Sequence, residues 1–319
     1  MKAFVLEKHG GVDNLLLTDL PVPSITGTEV LVKVKSSSIN RVDSFVRQND
    51  FAVPVFYRRE NNNEPIVLGW DLAGTVVQAG DKVTGFKEGD DVFGLVNFFG
   101  RGRTHAEFVA APAEHLALKP SNISFEEAAA AGLTAMTAWQ AIITYGHLRA
   151  GQKVLIYGAA GGVGHFAVQL ARMQGAYVIG VGSSHNHSFI MDIGADEFLD
   201  YKHKEIEQIV TDADLVIDPL PGPHVLKSLA SAKPGGRVIN LLPYEDADGK
   251  MAAIVKSKRL FTHRIVVSSD GETMKKIAEL LAKGLLKPHI FKSFPFHQLP
   301  KAHKAIDSSK KKGKIVVSF

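Results

Sequence analysis

The sequence predicts an α/β fold: a β-rich first domain followed by a doubly wound parallel sheet. Three observations lead there. Up to about residue 120, runs such as "EVLVKVKSSSIN", "LAGTVVQAG", "DDVFGLV" and "HAEFVAAP" are short, apolar and punctuated by Gly, Pro and Asp, the texture of a small barrel or sandwich. From Lys153 onward, "KVLIYG", "AYVIGV", "DLVIDPL" and "GRVINLL" are near-continuous apolar runs separated by helical stretches, as expected of parallel strands buried on both faces. The third observation is a cluster of glycines between the first of those strands and the helix after it.

The elements follow in order. Ser124 stands as a helix N-cap with Glu127 three residues on, the spacing of a capping box, and an alanine-rich helix follows. After "KVLIYG", the segment "VGHFAVQLARMQ" places Val163, Phe166, Ala167, Leu170 and Ala171 on one helical face. Strands and helices then alternate to about residue 268. "GETMKKIAELLAKG" is a further helix, and "KAHKAIDSSKKKGKIVVSF" is helix, turn and a last strand suited to return to the first domain.

The glycines mark a nucleotide site. A dinucleotide loop needs a small residue for the tight turn, a glycine where backbone meets pyrophosphate, and a glycine where helix packs on strand. Ala159, Gly161 and Gly164 have that spacing, and the backbone amides at the helix N-terminus would then hold the anionic diphosphate. An NAD site ordinarily closes its second strand with an acid for the ribose 2′-hydroxyl. Here that place reads Gly182-Ser183-Ser184, and the acid is missing. Hydroxyls donate to a 2′-phosphate that a carboxylate would repel, so the expected cofactor is NADPH. His185 and His187 are the candidate cations of this stretch. Asp218 closes the strand "DLVID" at the ligand side of the sheet, where it borders a cofactor or caps the next helix.

Composition removes several classes. There is no cysteine among 319 residues, hence no disulfide, Cys-ligated zinc, iron–sulfur cluster or thiol catalysis. A net charge of +4 and the lack of an aromatic-basic stripe give no support to nucleic-acid binding. No apolar run reaches the roughly 20 residues of a membrane helix, and "MKAFVLEKHGG" is strand and turn instead of a targeting peptide, so a cytoplasmic protein is expected.

Together "GAAGGVGHFAVQLAR", "GADEFLDY", "SSINRVDSFVRQ", "LGWDLAGTVVQAG" and "GDDVFG" resemble the medium-chain dehydrogenase/reductase superfamily, most of all its zinc-independent quinone oxidoreductase branch. The resemblance implies a GroES-like catalytic domain, residues 1–121 plus 269–319, with an inserted Rossmann domain, residues 122–268. Zinc-containing relatives carry Cys where Asn40 stands and Gly-His-Glu where this chain has Gly69-Trp70-Asp71. The resemblance also implies that Asn40 lies near the nicotinamide, that Thr134 contacts the cofactor, and that Gly161, Gly162 and Val163 hold the diphosphate. Ser183 or Ser184 with Tyr201 would form the 2′-phosphate pocket. It further implies a homodimer joined along the sheet edge, with "THRIVVS" as the edge strand.

The expected reaction is hydride transfer from NADPH to a quinone, with an enone or 2-enoyl thioester reductase as the rival and a non-catalytic structural or RNA-binding relative as the third possibility. Asp43, three residues after Asn40, either orients Asn40 or the substrate, or bonds nearby backbone. An enone reductase needs a proton donor, and Tyr57 is the one candidate upstream of the nucleotide domain. Phe51, Phe56, Phe98 and Phe99 are candidate faces for a planar substrate, Arg101 and Arg103 candidate phosphate contacts, and 51–69 a candidate lip over the site.

Overall fold

The structure, a computed structural model, describes residues 1–58, 64–307 and 312–319. Part of the candidate lip, and Lys310 and Lys311 of the predicted turn before the last strand, lie outside the described residues. The chain forms two compact units, Met1–Met136 with Val267–Phe319, and Thr137–Val266.

The first unit begins with β1 (Lys2–Leu6), β2 (Leu15–Asp19), β3 (Glu29–Ile39), α1 (Arg41–Gln48), β4 (Ile66–Val67), β5 (Asp71–Ala79), β6 (Asp91–Leu95), β7 (Phe108–Pro112), β8 (Leu116–Leu118) and α2 (Phe125–Trp139). β3 organises it. Val30, Val32 and Val34 enter one core with Leu72, Val92 and Val109, since alternate residues of a strand share a face. β5 runs antiparallel along one side of β3, while β7 pairs with Glu29–Lys33 and the chain's last strand with Ser36–Ile39. β2, β1 and β4 make a separate small sheet.

The second unit contains β9 (Lys153–Ile156), α3 (Gly164–Met173), β10 (Tyr177–Gly182), α4 (His187–Asp192), β11 (Glu197–Asp200), α5 (Ile206–Ile209), β12 (Ala213–Asp218), α6 (His224–Ser231), β13 (Ala232–Asn240), α7 (Lys250–Lys258) and β14 (Phe261–Arg264). Its sheet has the order β11-β10-β9-β12-β13-β14 and every pair is parallel. Leu155, Ile179, Val181, Val216 and Val238 lie in its core, which explains the unbroken apolar runs of the sequence. The order reverses between β9 and β12, and in such a sheet ligands bind beyond the strand C-termini at that reversal. The chain then returns to the first unit with α8 (Gly271–Ala282), β15 (Ile290–Pro295), α9 (Leu299–Ile306) and β16 (Lys314–Ser318).

The first boundary falls inside α2 instead of at the change of texture near residue 121. The reason is local. Leu133 donates its N–H to Asp71 Oδ1 at 2.6 Å, and Gly132 lies so close that a Cβ there would stand 2.2 Å from the same oxygen. The first turns of α2 therefore belong with β5. The predicted capping box is formed: Glu127 N–H donates to Ser124 Oγ at 3.1 Å, and Ser124 N–H to Glu127 Oε2 at 2.8 Å.

Candidate active site

In the second unit the glycine loop joins β9 to α3. Gly158 has φ +61°, a left-handed conformation that favours glycine. Ala159 N–H reaches Val181 O at 3.0 Å, tying the loop to β10. A Cβ on Gly164 would stand 2.2 Å from Gly158 O, so this glycine is where helix packs on strand. A Cβ on Gly161 would meet nothing closer than Gly158 O at 3.1 Å, leaving its outer side open for close approach. The N–H groups of Gly162 and Val163 make no hydrogen bond among the described residues, and both residues are half-buried at the start of α3. Donors without partners at a helix N-terminus suit a diphosphate. The loop fits the dinucleotide that the sequence implied. His165, which sequence reasoning passed over, is buried with Nδ1 2.9 Å from Gly161 O and braces the turn.

At the end of β10, Ser183 Oγ lies 3.0 Å from His185 Nδ1, and Ser184 and His187 are exposed. The His187 ring rests 4.8 Å from that of Phe198. Tyr201 N–H bonds Gly182 O at 3.3 Å and its ring is exposed, so the residues expected to seat a 2′-phosphate come together here. Asp200 comes with them. It pairs in register with Gly182, and its carboxylate accepts Ser184 N–H at Oδ2 and Lys202 N–H at Oδ1, each at 2.9 Å. The Lys202 N–H above all, helped by the Ser184 hydroxyl and N–H, holds this carboxyl below the usual carboxylate range.

Asp218 is placed differently from its expected cofactor role. It is fully enclosed, and its oxygens are taken by Leu220 N–H at 2.9 Å, Ser228 Oγ at 2.8 Å and His224 Nδ1 at 3.1 Å. It secures the start of α6, which leaves no oxygen facing a ligand.

In the first unit Asn40 sits at the centre of a buried polar knot. Its Nδ2 donates to Asp71 Oδ2 at 2.8 Å, and its Oδ1 accepts Lys314 Nζ at 2.5 Å. Lys314 Nζ also stands 3.4 Å from Asp71 Oδ2, which the Ser38 hydroxyl contacts as well. Lys314 and Asp71 are 2% and 0% exposed, so this ion pair is almost wholly removed from water, and burial lowers the Lys314 pKa. Thr134 follows Leu133, whose N–H reaches Asp71, and its hydroxyl donates to Ala130 O at 3.1 Å. Asn40, Asp71 and Thr134 thus share one neighbourhood. Asp71 and Lys314 were not singled out from sequence. An acid in "LGWDLAG" and a lysine in "GKIVVSF", each opening an apolar strand, were the available signals.

Asp43 belongs to the backbone around this knot. Its oxygens accept Asn40 N–H at 2.7 Å and Gly69 N–H at 3.0 Å, and full burial closes the carboxyl to substrate. Burial, opposed by the Asn40 N–H and supported by the charge of Asp71, pushes its carboxyl up to about 7. Tyr57 is also fully buried. Its hydroxyl accepts Val67 N–H at 3.2 Å and Arg103 Nε at 3.4 Å, and donates to Pro65 O at 3.4 Å. Those bonds lock it away from the role of proton donor. Arg101 and Arg103 both pair with Glu64.

A catalytic zinc does not fit this constellation. Trp70 is buried with Nε1 donating to Gly100 O at 2.8 Å, and the Lys314 ammonium already supplies the positive charge beside Asn40 and Asp71. Neither thiolate nor imidazole faces that point.

The candidate aromatic residues gather. Phe45 lies 5.7 Å from Phe51 and 5.8 Å from Phe56, Phe56 lies 4.7 Å from Phe99, and Phe98 bridges Phe99 to Trp70 at 4.5 and 5.4 Å. Phe51 and Phe45, at one end of this chain of rings, are exposed.

Comparison with known proteins agrees with this geometry. Residues 26–121 match the alcohol dehydrogenase GroES-like domain, and residues 193–317 match the zinc-binding dehydrogenase domain. The chain is 32% identical to the chloroplastic NADPH-dependent alkenal/one oxidoreductase of Arabidopsis thaliana, over 99% of this chain and 79% of that protein. It is 30% identical to the quinone oxidoreductase of Rattus norvegicus, over 99% of this chain and 97% of the relative. The quinone oxidoreductase structure from Coxiella burnetii superposes with a TM-score of 0.90 at 29% identity, covering 100% of this chain and 99% of the other. With its GroES-like and Rossmann units and these relatives, the chain belongs to the medium-chain dehydrogenase/reductase superfamily of oxidoreductases.

Proposed function

We propose that this oxidoreductase reduces a quinone with NADPH and does so without zinc. The observation that carries this reading is the glycine loop, whose Gly162 and Val163 N–H groups, at the start of α3, make no hydrogen bond among the described residues. Serines in place of the acid at the end of β10 support NADPH as the form bound. NADPH, when bound, supplies a hydride; with one proton from water the quinone leaves as the hydroquinone.

The protein's own residues bind and orient. The loop backbone takes the diphosphate, and Asn40 is the side chain the family resemblance assigns to the nicotinamide. Asp71 and Lys314 grip both ends of the Asn40 amide, which fixes the orientation it presents. Phe51 and Phe45 offer ring faces to a planar acceptor. An enone reductase is the rival, supported by the Arabidopsis relative. It needs a proton delivered to carbon, and the enclosed Tyr57 hydroxyl weighs against it. We also propose a homodimer through β14, the edge strand of its sheet.

The test is NADPH oxidation with a panel of quinones and enones, beside a mass measurement in solution. Quinone turnover well above enone turnover supports the reading; enone turnover alone replaces it, and a monomeric mass removes the dimer.

A further inference from the structure

The end of β10 lacks the acid of an NAD site, yet an acid stands there. Gly182, the last residue of β10, pairs with Asp200, the last residue of β11. From that position the Asp200 carboxylate crosses to the next strand and accepts the Ser184 N–H at 2.9 Å. Its charge is therefore one hydrogen bond from the residue that would seat a ribose 2′-substituent. Asp200 makes no ion pair among the described residues; its other oxygen takes a backbone N–H, from Lys202. The Ser183 hydroxyl lies 3.0 Å from His185 Nδ1. A carboxylate receives a hydroxyl and repels a phosphate. The opposing charges are Lys202 and Lys204, both exposed on the turn after β11. Solvent screens them, whereas Asp200 is 9% exposed.

We propose that Asp200 is the specificity-determining carboxylate of the adenosine ribose: it substitutes from β11 for the acid absent from β10, so that NADH binds comparably with NADPH. This rests on the reading of the glycine loop as a dinucleotide site, and it limits the NADPH preference that β10 alone implies. A carboxylate near a 2′-phosphate in a partly screened site changes affinity by about tenfold.

Fluorescence titration of the whole protein with NADH and with NADPH tests it, in the wild type and in Asp200→Asn, with circular dichroism to check the fold. Comparable dissociation constants in the wild type are expected. Asp200→Asn should move their ratio about tenfold toward NADPH, mostly by tightening NADPH. Should Asp200→Asn fail to fold, Asp200→Ser and the wild-type ratio carry the test. A wild type that prefers NADPH a hundredfold or more, or a ratio that neither variant moves, overturns the inference and leaves the dinucleotide site standing. Binding of neither nucleotide overturns both.

Discussion

The glycine loop of the second unit and the polar knot of the first are built by opposite means. The loop takes what it needs from consecutive residues, Gly158 to Gly164, and its chemistry is backbone N–H. The knot draws side chains from Ser38, Asn40, Asp71 and Lys314 and one amide from Leu133. The difference teaches where each is vulnerable. A backbone site fails when a side chain intrudes on it. A side-chain knot fails when one member is removed and the rest are left buried without partners.

The largest expected effect breaks the knot. Asp71→Ala strands the buried Lys314 ammonium and should lower the unfolding free energy by about 3–5 kcal/mol, read from urea unfolding. Lys314→Met removes the charge from the other side, and the double variant should lose clearly less than the sum of the singles. A strictly additive loss would show that the knot is not a unit.

The loop gives a sharper contrast between two glycines. Gly164→Ala pushes a Cβ to 2.2 Å from Gly158 O and should cost about 1–3 kcal/mol in stability. Gly161→Ala meets only one atom, at 3.1 Å, so the fold should survive while nucleotide affinity drops by about tenfold. Equal losses of stability in the two would remove the distinction between a packing glycine and a ligand-facing one.

Acid sensitivity separates the knot's surroundings by sign. Burial pushes His105 down to about 3 and takes His303 well below its ordinary value. Both rings are fully buried, 5.4 Å apart, with no nitrogen hydrogen-bonded among the described residues. Unfolded histidines take a proton near ~6.5, so this contribution is fully present above that value and is lost as pH falls from it. Asp43 opposes them. Its carboxyl, raised to about 7, holds a proton that the unfolded chain releases near ~3.9, so its contribution is present in acid and is lost as pH rises toward 7. Between about pH 4 and 6.5 the two histidines outweigh the one acid, and stability should rise with pH. Asp43→Asn should steepen that slope and His303→Leu should flatten it, in unfolding curves at pH 4.5 and ~6. A slope of opposite sign would show that these groups titrate elsewhere.

The smallest effect lies where the first unit hands over to the second. Ser124→Ala removes one half of the capping box of α2 and should cost about 1 kcal/mol in thermal or urea unfolding.

These outcomes trace back to what could be read in one dimension. The strands of the parallel sheet were legible because burial on both faces leaves them apolar without a break, as in Val154–Ile156 and Leu215–Ile217. The Ser124–Glu127 box was legible because both partners lie within one helical turn. So was the nucleotide loop, since Gly158, Gly161 and Gly164 answer to local backbone geometry. The roles of single polar residues were not. Asp218 and Tyr57 looked available, and the fold spent their oxygens on Ser228, Val67 and Arg103.

The sequence by itself determined the two-part architecture, the loop for a dinucleotide and the loss of zinc donors at Asn40 and Trp70. Tertiary structure alone decided that Lys314 meets Asn40 across 274 positions and that an acid from β11 stands beside the serines ending β10. The physical reason is range. Backbone conformation and burial periodicity are set by neighbours along the chain, whereas the partner of a buried charge is set by which strands the sheet brings side by side.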